Sequence, residues 1–137
     1  MEYRSKDIYI NLPVLNLEKT IDFFTELGFA FDPKLTDQYA TCMVIGDHIF
    51  AMFLAPDYFR TFTKKGISNS FTSTEVILTV TVDTREKVDL MVNRALAAGA
   101  KPSIEQKDHG SMYWSGFEDI NGHLWEVMYG EEGNLPT

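Results

Sequence analysis

The sequence predicts an α+β fold made of two βαβββ modules in a mixed sheet, and three observations lead there. The order of elements repeats, each half reading strand, helix, strand, hairpin. Gly46-Asp47-His48-Ile49 in the first half resembles Asn121-Gly122-His123-Leu124 in the second, and a repeated unit constrains the whole fold. The closing segment, MYWSGFEDINGHLWEVMY at residues 112–129, turns back on itself at Asn121-Gly122. Both of those residues tolerate the positive φ of a type I′ hairpin turn.

Residues 8–14, IYINLPV, read as the first strand, ended by Pro13. Asn16 is a helix N-cap with Glu18 in the first turn, where the dipole favours negative charge. Leu17, Ile21, Phe24 and Leu27 recur at helical spacing, and Gly28 stands where a helix stop belongs. Residues 29–35 predict an edge strand, because Pro33 cannot donate to a ladder. Residues 39–45 and 49–54 form a hairpin around Gly46-Asp47-His48, and Tyr58, Phe59 and Phe62 lie in a short helical or irregular piece. Residues 63–74, TKKGISNSFTST, are polar and read as a flexible linker. Then come a strand at 76–82, a cap at Asp83 or Thr84, and a helix striped by Val88, Met91, Val92, Ala95 and Leu96 and stopped by Gly99. Residues 101–107 make a weak strand broken by Pro102 before the final hairpin. The expected layout is a single domain, 1–137, with module 1 at 8–62, module 2 at 75–130 and a linker at 63–74.

Bulk properties narrow the function class. With 137 residues, 45% apolar and 23% charged, the chain has the make-up of a soluble globular protein and length enough for an ordinary core. The longest apolar run, residues 49–55, has strand length and is too short to span a bilayer. The first ten residues scatter charges where a signal peptide needs an apolar stretch, so the expected location is cytoplasmic. A net charge of −8 repels phosphate backbones, so no nucleic-acid or membrane partner is expected, while cationic small molecules are favoured. Cys42 is the sole cysteine, which rules out an internal disulfide and a thiolate zinc cluster. P-loop, GxGxxG, CxxC, HExxH and GxSxG patterns are all missing.

Glu126 interrupts the apolar closing strand. Alternation puts Leu124, Glu126 and Met128 on one face and Trp125, Val127 and Tyr129 on the other. A carboxylate in that setting is costly to bury without a partner. Paired βαβββ modules, the segment FEDINGHLWEVMY closing the second and INLPVLNLEKTIDFFTELGF opening the first, resemble the vicinal oxygen chelate superfamily. Glyoxalase I, bleomycin-resistance proteins and extradiol dioxygenases belong there, and within it the chain is similar to a branch labelled predicted lactoylglutathione lyase. The resemblance runs over residues 8–129 and implies sheets that curl around a central cup, with homodimers common.

Metal-dependent members place one ligand on the first and one on the last strand of each module. Carried over by position, those sites fall on Tyr9, on Met52 (or Ala51 if the hairpin register differs), on Ile77 and on Glu126. Hard or borderline divalent ions need oxygen or nitrogen donors, and Glu126 alone qualifies well. The resemblance therefore implies the family fold without the family metal. No cofactor is expected, and a divalent metal would need other donors in the cup.

Two roles are open for Glu126. It pairs with a cationic ligand or takes a proton from a substrate, or it is a remnant satisfied by a hydroxyl, a backbone group or water. Tyr39, Tyr113, Trp114 and Trp125 either stack on a planar ligand or simply fill the core; Tyr113 and Trp114 point to opposite faces. Cys42 reads as an inert core residue rather than a nucleophile. Asp108-His109-Gly110 is a polar loop, and Tyr58, Phe59 and Phe62 read as a lid, a packing plug or a dimer contact. The expected activity is metal-independent binding or sequestration of a small cationic or aromatic ligand by Tyr9, Met52, Ile77, Trp114, Tyr39 and Glu126. The alternative is a lyase, isomerase or dioxygenase-like enzyme using Glu126 as base or metal ligand. A homodimer is expected in either case.

Overall fold

A computed structural model describes residues 1–104 and 106–130. Glu105, inside the expected weak strand, and residues 131–137 of the expected domain lie outside the described residues. The chain forms two compact units, Met1–Ile67 and Ser68–Thr137.

The first unit holds β1 (Ile8–Pro13), α1 (Leu17–Leu27), β2 (Ala30–Asp32), β3 (Ala40–Gly46), β4 (Ile49–Leu54) and the short α2 (Pro56–Phe59). Its four strands order as β1-β4-β3-β2, with β1 parallel to β4 and the other pairs antiparallel. Asn16 caps α1 by accepting from the Lys19 amide at 2.9 Å, and Gly28 ends it at φ +109°. The edge strand expected at 29–35 is cut to three residues. The Asp32 carboxylate accepts from the Lys34 amide at 2.9 Å, and Pro33 then starts a single 3-10 turn, Pro33–Leu35. One face of the sheet takes α1: Phe24 stacks on Phe53 at 5.0 Å and meets Phe23 edge-on at 4.9 Å. Leu12, Met43 and Ala51 complete that buried layer. Each fully buried ring of this kind contributes about 1.5–3 kcal/mol relative to exposure.

In the second unit come β5 (Ile77–Thr81), α3 (Arg85–Ala97), β6 (Lys101–Pro102), β7 (Lys107–Asp108), β8 (Met112–Glu118) and β9 (Leu124–Gly130). The strands order as β5-β9-β8-β6, β7 also pairs with β8, and β5 runs parallel to β9. Of the two expected caps it is Thr84 that serves, its hydroxyl accepting from the Lys87 amide at 3.2 Å. Val88, Val92 and Ala95 of α3 are buried with Trp125, Val127, Phe117 and Tyr113 of the sheet. The first strand of each unit thus lies beside its last; the first unit follows the βαβββ order, and in the second the weak strand expected at 101–107 is two short pieces, β6 and β7, each paired with β8.

The final turn differs from expectation. Gly122 has φ +86°, but no non-glycine residue among those described has positive φ, so Asn121-Gly122 is not a type I′ pair. The connection runs over residues 119–123 instead, closed by Gly122 N–H to Asp119 O at 3.0 Å and Asp119 N–H to His123 O at 2.8 Å. The cause is Asp119, whose buried carboxylate accepts from the Asn121 amide (2.8 Å), the His123 amide (3.0 Å) and Trp125 Nε1 (2.9 Å). The second half of the expected linker also packs on this turn. Ser70 donates to Asn121 O at 2.5 Å, and a Cβ on Gly122 would come within 2.9 Å of Ser70 backbone.

Candidate functional site

In the second unit, α3 covers one face of the sheet and leaves the other to Leu124, Glu126 and Met128. Strand pairing builds three rows across that helix-free face. Thr79, Glu126 and Gly116 form the middle row, flanked by Ile77, Leu124 and Glu118 on one side and by Thr81, Met128 and Trp114 on the other. Glu126 is half-buried and accepts from the Thr79 hydroxyl at 3.3 Å. On its other flank the ladder partner has no side chain. A Cβ at Gly116 would lie 2.7 Å from Trp125 O, 2.9 Å from Ser103 Oγ and 3.2 Å from Ile104 Cγ1, so the segment between β6 and β7 leans onto the glycine. Among the described residues no lysine or arginine pairs with Glu126. A carboxylate so placed, with one weak neutral donor, can hold a cation or accept a proton.

The helix-free face of the first unit carries the corresponding positions by the same pairing: Tyr9 for Ile77, Asn11 for Thr79 and Met52 for Glu126. Tyr9 is 46% exposed and stacks on Phe50 at 4.8 Å. Between Met52 and Ala51, the register puts Met52 on this face, whereas Ala51 is fully buried on the α1 side. Tyr39 is not in these rows. It precedes β3 and lies 5.7 Å from Tyr58, which meets Phe62 edge-on at 5.1 Å. Cys42 is fully buried, and burial, with Asp32 nearby, pushes its thiol up, away from a reactive thiolate.

A second polar group clusters at the start of α3. Arg85 makes a two-pronged pair with Asp108 at 2.8 and 3.1 Å, donates to Gly110 O, and lies 5.1 Å over the Tyr113 ring. That arginine holds the Asp108 carboxyl below the usual range. Tyr113, on the α3 side, donates to Asp89 at 2.5 Å; burial first, and then that bond, raise its phenol to about 12. Trp114 points the other way, and the His109 ring lies flat on it at 5.0 Å and 13°. His48 is engaged with Asp7 at 2.8 Å. Asp119, Gly116 and Arg85 escape the sequence reading. Only Asp119 carries a local signal, an aspartate two residues before the Asn-Gly pair that can accept from the turn's own amides. Burial pushes its carboxyl up, opposed by His123 and by its N–H donors.

The family model described as the Glyoxalase/Bleomycin resistance protein/Dioxygenase superfamily matches residues 8–127. The chain belongs to this superfamily. Solved structures agree on the fold. A hypothetical protein from S. aureus is 25% identical with a TM-score of 0.78, over 93% of this chain and 95% of that one. A glyoxalase/bleomycin resistance protein/dioxygenase family enzyme from Burkholderia phytofirmans PsJN is 18% identical with a TM-score of 0.74, over 90% and 97%. The genomically encoded fosfomycin resistance protein of Listeria monocytogenes is 18% identical with a TM-score of 0.68, over 97% of each chain. No curated protein matches the chain. No helix among the described residues is long and apolar enough to cross a membrane.

The metal-ligand positions that the resemblance implies fall on Tyr9, Met52, Ile77 and Glu126. The residues present do not fit such an ion. Isoleucine has no donor atom, a thioether is too soft for a hard or borderline cation, and a neutral phenol binds weakly. Among the described residues no group of three or more His, Cys, Asp or Glu side chains is placed to hold a metal.

Proposed function

We propose that the chain is a metal-independent binding protein of the superfamily, using the helix-free face of its second unit to hold a small ligand with a positive charge. The observation that carries the reading is Glu126: a half-buried carboxylate with a 3.3 Å hydroxyl donor and no basic partner among the described residues. A ligand ammonium or amidinium would supply the missing charge-assisted hydrogen bond. Ile77, Leu124 and Met128 would receive its apolar part, and Trp114 a ring. The net charge of −8 favours approach of such a ligand.

Thermal-shift titration with cationic aromatic probes, alongside metal analysis of the purified protein, tests this. Saturable stabilisation that disappears in Glu126→Gln supports the reading. A stoichiometric transition metal whose removal lowers the melting temperature overturns it.

A further inference from the structure

On the helix-free face of the second unit, the ring of Trp114 is already occupied by the protein itself. His109 lies parallel to the indole, 5.0 Å between centroids and 13° between planes, which is where a planar ligand would stack. The imidazole is held from one side. Asp108, its chain neighbour, is clamped by Arg85 through two hydrogen bonds and also accepts from the Gly110 amide at 2.9 Å. Arg85 donates as well to Gly110 O, and the His109 amide donates to Met112 O at 2.8 Å. These bonds position the backbone at residues 108–110, while the His109 side chain is exposed and has the Trp114 ring as its contact.

We propose that His109 is a replaceable cover on Trp114, kept in place by the Arg85–Asp108 clamp, and that it sets which rings this face admits. A bound ring must displace the imidazole, so small rings gain nothing over it. A planar fused ring covers more of the indole than imidazole does and wins the exchange. Combined with Glu126 in the neighbouring row, the class selected is the fused aromatic cation. This ligand class rests on the function proposed above; the cover itself does not.

The experiment has two arms. Acrylamide quenching of tryptophan fluorescence needs no ligand. Of the two tryptophans, Trp125 is 1% exposed and shielded from acrylamide, so the quenchable signal belongs to Trp114, which Trp114→Phe serves to verify. His109→Ala and Asp108→Asn should both raise the quenching constant, roughly twofold or more, as expected when one aromatic contact or its support is removed. His109 is a surface residue, so its alanine variant folds. Unchanged quenching in His109→Ala overturns the cover, and a rise there without one in Asp108→Asn overturns the clamp. The second arm titrates proflavine, a fused aromatic cation. His109→Ala should bind it roughly two- to tenfold more tightly than wild type, the equilibrium equivalent of one ring contact no longer displaced, and weaker or equal binding overturns the selection. Should proflavine bind neither protein, the Glu126 reading and the ligand class fall together, while quenching still decides the cover.

Discussion

Glu126 on β9 stands directly opposite Gly116 on β8, so the carboxylate faces bare backbone across the ladder. The vacancy is not spare room. Ser103 and Ile104 already press on the glycine, and Trp125 O sits 2.7 Å from where a Cβ would be. Gly116→Ala therefore has to move backbone rather than a flexible tip. It should destabilise the protein by about 1–3 kcal/mol, the usual range for overpacking, measured by urea unfolding. A neutral effect would mean that the strand next to Glu126 yields easily.

Replacing Glu126 itself should leave stability nearly unchanged. Its hydrogen bond to Thr79 is long and exposed, so Glu126→Gln should change stability by no more than about 0.5 kcal/mol. Binding of a cationic probe should nevertheless be lost. Isothermal calorimetry with the same probe checks the second half, and unchanged affinity would remove Glu126 from the site.

The loss of Asp119, by contrast, should be felt. Its carboxylate satisfies two turn amides and the indole N–H of Trp125 inside the protein. Asp119→Ala removes the acceptor these groups share and should cost about 1–3 kcal/mol, the range for breaking up a buried hydrogen-bonded group. Chemical denaturation with Trp125 fluorescence as the signal reports it directly.

The Arg85–Asp108 pair predicts a pH signature. Arg85 lowers the Asp108 carboxyl in the folded protein, so its contribution is present above the unfolded value of about 3.9 and is lost as pH falls through the folded value. Wild type should melt above Asp108→Asn near neutral pH, and the gap should close below about pH 4. Melting curves from acid to neutral pH are the check. A gap independent of pH would mean that the clamp acts through its neutral hydrogen bonds alone.

How much of this was legible in the sequence depends on how local each determinant is. Asn16, Gly28 and Thr84 act on their own neighbours, and the expected α1 and α3 appear where spacing and caps put them. The two faces of β9 follow from alternation alone. The turn at Asn121-Gly122 failed because its shape is set by a buried aspartate reaching an indole six residues on, and hairpin statistics for a dipeptide do not contain that contact. The register that puts Met52 rather than Ala51 beside Asn11 joins β1 to β4, strands far apart in the chain, and no local pattern announces it. Thr79 beside Glu126 and Arg85 beside Asp108 join positions far apart in the chain, and a single sequence gives no reason to pair them.

Each unit sets its opening strand parallel to its closing one, β1 on β4 and β5 on β9. As the chain leaves the ribosome, β1 and β5 must therefore wait without a ladder partner until the rest of their own unit has been made. Synthesis cannot assemble either sheet strand by strand; the last hairpin has to arrive before the earliest strand is anchored. Long-range closure of this kind slows folding and leaves an apolar strand waiting in the nascent chain, so chaperone dependence during translation should centre on residues 8–13 and 77–81.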